Sequence, residues 1–208
     1  DGQKWHNIEA DLVVALNLNG YLLAMNKKSH EDYEHEVSLL SDVANRLIEE
    51  FNAKVFLVPT DYIDVSDDRP LLRKIHNRIH KKNRSIVIET EYDAIQYKGL
   101  VSSADIAIGS RYHFIVFATS SGVPCIGTAN GIYQKTKLKG VHDLYSIPKF
   151  FISEDMVDLS FDKLWEKVTQ LINNRKELSS NIKKMSAKIE NDSLVSIRLA
   201  VSILNSTK

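Results

Sequence analysis

Short apolar runs alternate with stretches of helical periodicity along most of this chain. The first run, Leu12–Leu18, is typical of a strand that is buried on both faces of a sheet. Further runs predict strands near residues 54–59, 85–89, 106–108, 125–128 and 150–152. Apolar residues at helical spacing predict helices at 32–51, 67–82 and 93–103, and after His113. Because such alternation favours parallel strands, we predict a Rossmann-like three-layer α/β/α sandwich with a mostly parallel sheet, formed by residues 1–208 as a single domain.

Two closing helices are expected after this core, at about 161–174 and 176–206. The second helix places Leu194, Ile197, Val201 and Leu204 on an apolar face. We expect this face to be partly exposed, so that it could pack on a partner domain or drive dimerisation.

Charge and cysteine content exclude several classes of function. Lys and Arg number 27, as do Asp and Glu, so the charge balance does not suggest general binding to nucleic acid or anionic membranes. Its apolar runs are far shorter than the about 20 residues of a membrane span; we expect no signal peptide and take the cytoplasm as the default compartment. The single cysteine, Cys125, is interpreted as a small buried hydrophobe. His76 and His80 lack the glutamate of a metalloprotease motif, and we predict no metal site.

The segment from Ala104 to Lys139 carries the most chemical information. A predicted strand runs into Ser110-Arg111-Tyr112-His113, an apolar helix follows, and 121–124 (Ser-Gly-Val-Pro) lead into a second strand. A guanidinium and an imidazole therefore lie at the carboxyl end of a parallel strand, where open α/β sheets bind ligands. The start of the helix also offers free N–H donors to an anion.

Residues 96–135 resemble the polysaccharide pyruvyl transferase family. Arg111-Tyr112-His113 matches its Arg-x-His core, and Tyr133 and Lys135 match the downstream Tyr and Lys. More loosely, 58–61 and Asp67-Asp68 also fit, and the whole resemblance covers about residues 55–152.

The resemblance implies a GT-B-type architecture of two Rossmann-like domains, with this chain as the C-terminal half and the N-terminal partner domain absent. It implies transfer of a pyruvyl group from phosphoenolpyruvate to sugar hydroxyls, giving a ketal, on cell-envelope or exopolysaccharide precursors. The partners would be phosphoenolpyruvate and a glycan or lipid-linked sugar acceptor, without another cofactor. The enzyme would be cytoplasmic, or peripheral to the inner face of the membrane. This chain alone is expected to fold but to turn over poorly.

The resemblance and the chemistry together assign roles to five residues. Arg111 can meet a carboxylate or phosphate with two parallel hydrogen bonds. His113 is the candidate general acid/base, because a side chain with a reference pKa near about 6.5 exchanges protons at neutral pH. Ser110, Tyr133 and Lys135 complete the candidate donor-binding set.

Each of these residues also has a structural interpretation. Arg111 could be paired with a neighbouring acid, and His113 could cap or pack a helix. Ser110 could cap the following helix, as Asp67 and Asp68 are expected to cap theirs. Tyr133 could pack, and Lys135 could be solvated in a lysine-rich loop with Lys137 and Lys139.

Two other functions are possible on the same fold. A sugar-nucleotide glycosyltransferase usually carries an acid after the strand that follows Gly-Val-Pro, and residues 128–135 contain none. The other alternative is a non-catalytic binding domain, against which the retention of both Arg111 and His113 argues.

Overall fold

The computed structural model describes residues 9–20 and 29–206. A short element that the sequence suggested at 21–25 lies outside the described residues.

Six strands of the described residues form one sheet in which every neighbouring pair is parallel. In chain order they are β1 (Leu12–Leu16), β2 (Ala53–Leu57), β3 (Ser85–Val87), β4 (Ile106–Gly109), β5 (Cys125–Thr128) and β6 (Phe151–Ile152). Their spatial order, β3-β2-β1-β4-β5-β6, confirms the predicted Rossmann-like fold. Because the order reverses between β1 and β4, a crevice opens at the carboxyl ends of these two strands.

Helices connect the strands and close the chain. They are α1 (His30–Phe51), α2 (Arg69–Arg78), α3 (Ala94–Ser102), α4 (Tyr112–Ser120), α5 (Gly131–Leu144) and α6 (Phe161–Ser206). Capping boxes at Ser29 and Asp93 begin α1 and α3. The predicted helix from Asp67 ends at Arg78, and residues 82–84 form a 3₁₀ turn instead.

Two expectations about helices were wrong. The lysine-rich segment that was expected to be a loop is helix α5, which buries Leu138, Val141 and His142 against the domain. The two expected closing helices are one helix of 46 residues. It contains no Gly or Pro, and the Ser193 hydroxyl donates to the Ile189 carbonyl within the helix, so nothing interrupts it.

The core lies between the sheet and its helices, and all four residues of both β4 and β5 are buried. Cys125 is buried as expected, and burial raises the pKa of its thiol, which therefore stays neutral.

The C-terminal part of α6 extends past this core. Its apolar residues are 45–62% exposed and include Leu194, Ile197 and Val201, as expected. No helix of the described residues is long and apolar enough to cross a membrane.

Candidate functional site

A cavity of about 700 Å³ opens at the carboxyl edge of the sheet. Its walls come from the segments that follow β1, β2, β4 and β5, so it lies at the point where the strand order reverses. We call it the first cavity; its lining comprises Asn19, Thr60, Asp61, Ser110, Arg111, Tyr112, His113, Asn130, Gly131, Ile132, Tyr133, Gln134, Lys137 and Leu138.

A buried amide holds these segments together. The fully buried Asn17 lies just after β1, and its Nδ2 donates to the Val58 carbonyl over 2.9 Å. Its Oδ1 accepts from the Arg111 backbone N–H at 3.1 Å. Both the oxygen and the nitrogen of the amide thus have hydrogen-bond partners. This explains why a polar residue interrupts the apolar run Leu12–Leu18.

The Arg111 guanidinium lines the first cavity but is already paired. Its Nη2 lies 2.7 Å from Asp68 Oδ1, and its Nε lies 3.1 Å from both Asp68 oxygens. Nη2 also donates to the Ser66 carbonyl at 2.9 Å, and Nη1 lies 3.4 Å from Asp61 Oδ2. Of the two interpretations from sequence, the ion pair with an acid is the one the structure contains.

The expected capping role of Asp68 was wrong. Asp68 stands at the N-cap position of α2, but its side chain makes no capping hydrogen bond. Its carboxylate is fully buried and accepts from the Gly20 and Thr60 backbone N–H groups as well as from Arg111. The carboxylate that binds the start of α2 is that of Asp67, whose Oδ1 accepts a hydrogen bond from the Arg69 N–H at 2.8 Å.

His113 lies exposed on the first turn of α4 and lines the first cavity. Its ring stands edge-on to Tyr112, with 5.3 Å between the ring centroids. Neither ring nitrogen has a hydrogen-bond partner among the described residues, and α4 has no side-chain cap. Both nitrogens are therefore available to a ligand, and the capping alternative does not hold.

The other candidate residues divide into two groups. Ser110 lines the first cavity, but its buried hydroxyl accepts from the Asn19 N–H at 2.9 Å rather than capping α4. Tyr133 also lines the cavity and is 72% exposed. Lys135 is not part of the lining, and its Nζ lies 3.3 Å from Asp155 Oδ1.

Lys137 is a cation of the first cavity that the sequence did not single out. Its Nζ lies 4.4 Å from the centroid of the Tyr133 ring and 5.3 Å from that of Tyr112. In the part of the chain that the structure describes, no carboxylate forms an ion pair with it. The sequence feature that could have indicated Lys137 is its spacing of four residues from Tyr133. This spacing brings the two side chains together only on a helix.

Two helices begin at the first cavity. α4 has no side-chain cap, so its free N–H groups and the positive end of its dipole face the cavity, whereas the Gly131 N–H at the start of α5 already donates to Asp155 Oδ1 at 2.9 Å. The lining contains two cations, Arg111 and Lys137, and one carboxylate, Asp61, and with the start of α4 this balance suits an anion. Among residues 9–20 and 29–206, no three His, Cys, Asp or Glu side chains cluster as metal ligands would.

A parallel α/β domain with a crevice at its switch point belongs to the Rossmann-like type of ligand-binding domain. A model of the polysaccharide pyruvyl transferase family matches residues 7–131. The match covers more than half of the chain and extends from β1 to the start of α5. The chain belongs to the polysaccharide pyruvyl transferase family.

One solved structure shares the fold of this chain at low sequence identity, and a second is similar over a comparable length. The S. aureus MnaA-UDP co-structure aligns with 95% of this chain and 48% of its own, with 12% identity and a TM-score of 0.58. The glycotransferase of kitacinnamycin aligns with 88% of this chain and 43% of its own, with 15% identity and a TM-score of 0.45. The chain thus spans about half the length of these structures. No curated protein sequence matches it.

Proposed function

We propose that this chain forms the donor-binding half of a transferase that moves a pyruvyl group from phosphoenolpyruvate to sugar hydroxyls, in cell-envelope or exopolysaccharide biosynthesis. One observation carries the proposal. The Lys137 ammonium, which pairs with no carboxylate of the described residues, and the uncapped start of α4 face the same cavity as the His113 imidazole. An anionic donor would therefore be held beside a group that can transfer a proton.

Phosphoenolpyruvate has the charges that this cavity accepts. Its phosphate and carboxylate need cations or N–H donors, which Lys137 and the start of α4 offer. Arg111 is largely neutralised by Asp68 and Asp61. We therefore assign Arg111 chiefly to positioning, because it fixes the turn that carries His113 against the segment after β2.

His113 is the proposed general acid/base. Ketal formation places a proton on C3 of the enol phosphate, joins two sugar oxygens to C2 and breaks the bond from C2 to the phosphate oxygen. The two hydroxyl protons go to C3 and to the departing phosphate, so the balance needs no oxidant or reductant. A side chain with two free ring nitrogens at the cavity wall can carry either proton.

The acceptor would be a glycan or a lipid-linked sugar, and an N-terminal partner domain would form the opposite wall of the cleft. This chain alone is then expected to bind the donor and to turn over poorly. Pyruvyl transfer by the chain alone, at the rate of a two-domain enzyme, would contradict this expectation.

Calorimetric titration of the chain with phosphoenolpyruvate tests the proposal, with a UDP-sugar as the competing ligand. Phosphoenolpyruvate is expected to bind, and Lys137→Ala is expected to weaken binding by about tenfold or more, since a hydrogen bond to a charged group is worth about 1.5–3 kcal/mol. Lys139→Ala is the matched control, because Lys139 lies on the same helix, pairs with Asp143 and is absent from the cavity lining. Binding of the UDP-sugar alone would favour a glycosyltransferase, and binding of neither would contradict a donor site on this chain.

A further inference from the structure

A second cavity, of about 260 Å³, opens beside the first. It is lined by Thr60, Tyr62, Glu91, Tyr92, Ala94, Tyr97, His113 and Phe117. His113 and Thr60 line both cavities. The imidazole therefore stands at the boundary between two separate spaces, one on the α5 side and one on the α3 side.

The two cavities differ in charge. The lining of the first contains two cations, Arg111 and Lys137, and one carboxylate, Asp61, whereas the lining of the second contains no Lys or Arg and one carboxylate, that of Glu91. A phosphate-bearing ligand would be attracted to the first cavity and repelled from the second. The second cavity therefore suits an uncharged ligand.

The walls of the second cavity are aromatic and held in place. Tyr97 is buried, and its hydroxyl lies 2.7 Å from Thr60 Oγ1. Its ring packs on Phe117, with 5.3 Å between the centroids. The Tyr62 hydroxyl donates to the Thr90 carbonyl at 3.3 Å. Rigid aromatic faces offer flat apolar contact at a low cost in side-chain entropy.

We propose that the second cavity is the subsite for the acceptor sugar, a neutral pyranose ring whose hydroxyls receive the pyruvyl group. This inference rests on the proposed function. Aromatic faces fit the apolar C–H faces of a pyranose, and the Glu91 carboxylate accepts hydrogen bonds from its hydroxyls. A group transfer requires the donor carbon and the acceptor oxygen to meet at the proton-transferring side chain. His113 meets that requirement, because it lies between a cavity that suits an anion and an aromatic cavity that suits an uncharged ligand.

The test uses the chain as it is, labelled with ¹⁵N, and follows backbone amide shifts by NMR. Methyl β-D-galactopyranoside and methyl β-D-glucopyranoside serve as pyranose probes, phosphoenolpyruvate as the anionic probe and uridine as a neutral aromatic probe. The glycosides are expected to shift the amides of 91–97 and Phe117. Phosphoenolpyruvate is expected to shift those of 131–137.

Ala94→Phe is the variant that blocks the second cavity. Ala94 is the exposed first residue of α3 and lines the second cavity, so a larger side chain there fills the cavity without disturbing the core. It is expected to weaken glycoside binding by about tenfold, a factor equal to about 1.4 kcal/mol, and to leave phosphoenolpyruvate binding within about twofold. Ile95→Phe is the control, since Ile95 is 84% exposed and absent from the lining.

The outcomes separate the two proposals. Failure of phosphoenolpyruvate to shift the amides of 131–137 counts against the proposed donor function, whatever the glycosides do. The acceptor subsite is overturned if the glycosides do not shift the amides of 91–97 and Phe117, even if phosphoenolpyruvate binds. It is also overturned if Ala94→Phe leaves those shifts unchanged. Shifts at 91–97 with uridine and not with either glycoside overturn it as well, in favour of a nucleoside.

Discussion

Arg111 and Asp68 are 43 residues apart in sequence, and their side chains form a bidentate ion pair beside the first cavity, which Arg111 lines. The carboxylate is fully buried and the guanidinium side chain is 13% exposed. Backbone N–H groups of Gly20 and Thr60 occupy the remaining acceptor positions of Asp68. The pair therefore joins the segments that follow β1, β2 and β4.

Arg111→Ala is expected to destabilise the fold severely. It leaves the Asp68 carboxylate buried without its cation, and breaking a buried pair in this way costs about 3–5 kcal/mol. Urea unfolding at pH 7 measures the loss. Arg111→Ala/Asp68→Ala should recover part of it, because the double variant no longer buries an unpaired charge.

Lys139→Ala is the control for that measurement. It breaks an ion pair with Asp143 in which both side chains are about half exposed, and such pairs contribute about 0–1 kcal/mol. An effect of Arg111→Ala no larger than that of Lys139→Ala would show that the buried pair is not a structural element.

The position of Arg111 was predictable from sequence, whereas its pairing was not. A strand that ends at Gly109 places Arg111 at the carboxyl edge of a parallel sheet, and local periodicity determines that strand. The partner, Asp68, comes from the segment after β2 and meets Arg111 only through tertiary folding. Its position before a helix suggested a cap, because local sequence cannot reveal that a long-range cation competes for the carboxylate.

The contact between Lys137 and Tyr133 also could not be predicted from local sequence, although both residues lie on α5. Gly131, Gly140 and alternating lysines weaken the helical pattern of α5, so the segment was interpreted as a loop. Burial of Leu138 and Val141 against the domain stabilises this helix despite its poor local propensity. Without the helix, the pairing of Tyr133 with Lys137 could not be foreseen, and the family resemblance singled out Lys135.

Lys135→Ala is expected to leave phosphoenolpyruvate binding within about twofold of that of the unmodified chain. The family resemblance singles out Lys135, but its ammonium lies 3.3 Å from Asp155 and outside the cavity lining. Removing a part-exposed ion pair changes affinity little. Calorimetry on Lys135→Ala and Lys137→Ala side by side checks this, and a larger loss with Lys135→Ala would reverse the roles assigned to the two lysines.

His113→Gln is expected to separate binding from chemistry. Glutamine keeps polar atoms at the cavity wall, so the affinity for phosphoenolpyruvate should stay within about twofold. Turnover of a protein that includes the partner domain should fall by about 10²–10⁴-fold, the usual contribution of general acid–base catalysis. Equal losses of affinity and turnover would identify His113 as a donor-binding group and not as the acid/base.

His142 makes the stability of the fold depend on pH. The ring is fully buried; its Nδ1 donates to the Leu138 carbonyl at 2.8 Å, and its Nε2 lies 3.9 Å from Cys125 Sγ. Burial lowers the pKa of His142 below its usual value, and burial followed by the charge of Lys82 lowers that of His76. Below about pH 6.5 the unfolded chain therefore binds protons at these histidines that the folded chain does not bind. The free energy of unfolding is expected to fall from pH 6.5 to 5, by up to about 1.4 kcal/mol per pH unit for the buried His142 and by less for the partly exposed His76.

Urea unfolding between pH 7.5 and pH 5 measures this slope, and His142→Phe should reduce it. Carboxyl groups with a lowered pKa, such as Glu34 and Glu89, have reference values of 4.5 and lose their contribution mainly below this window. Val141→Ala is the control, because it removes a buried methyl pair from the same helix without removing a titratable group. It should lower stability at every pH and leave the slope unchanged. If His142→Phe and the unmodified chain lose stability equally between pH 6.5 and 5, the buried imidazole is not the source of the pH dependence.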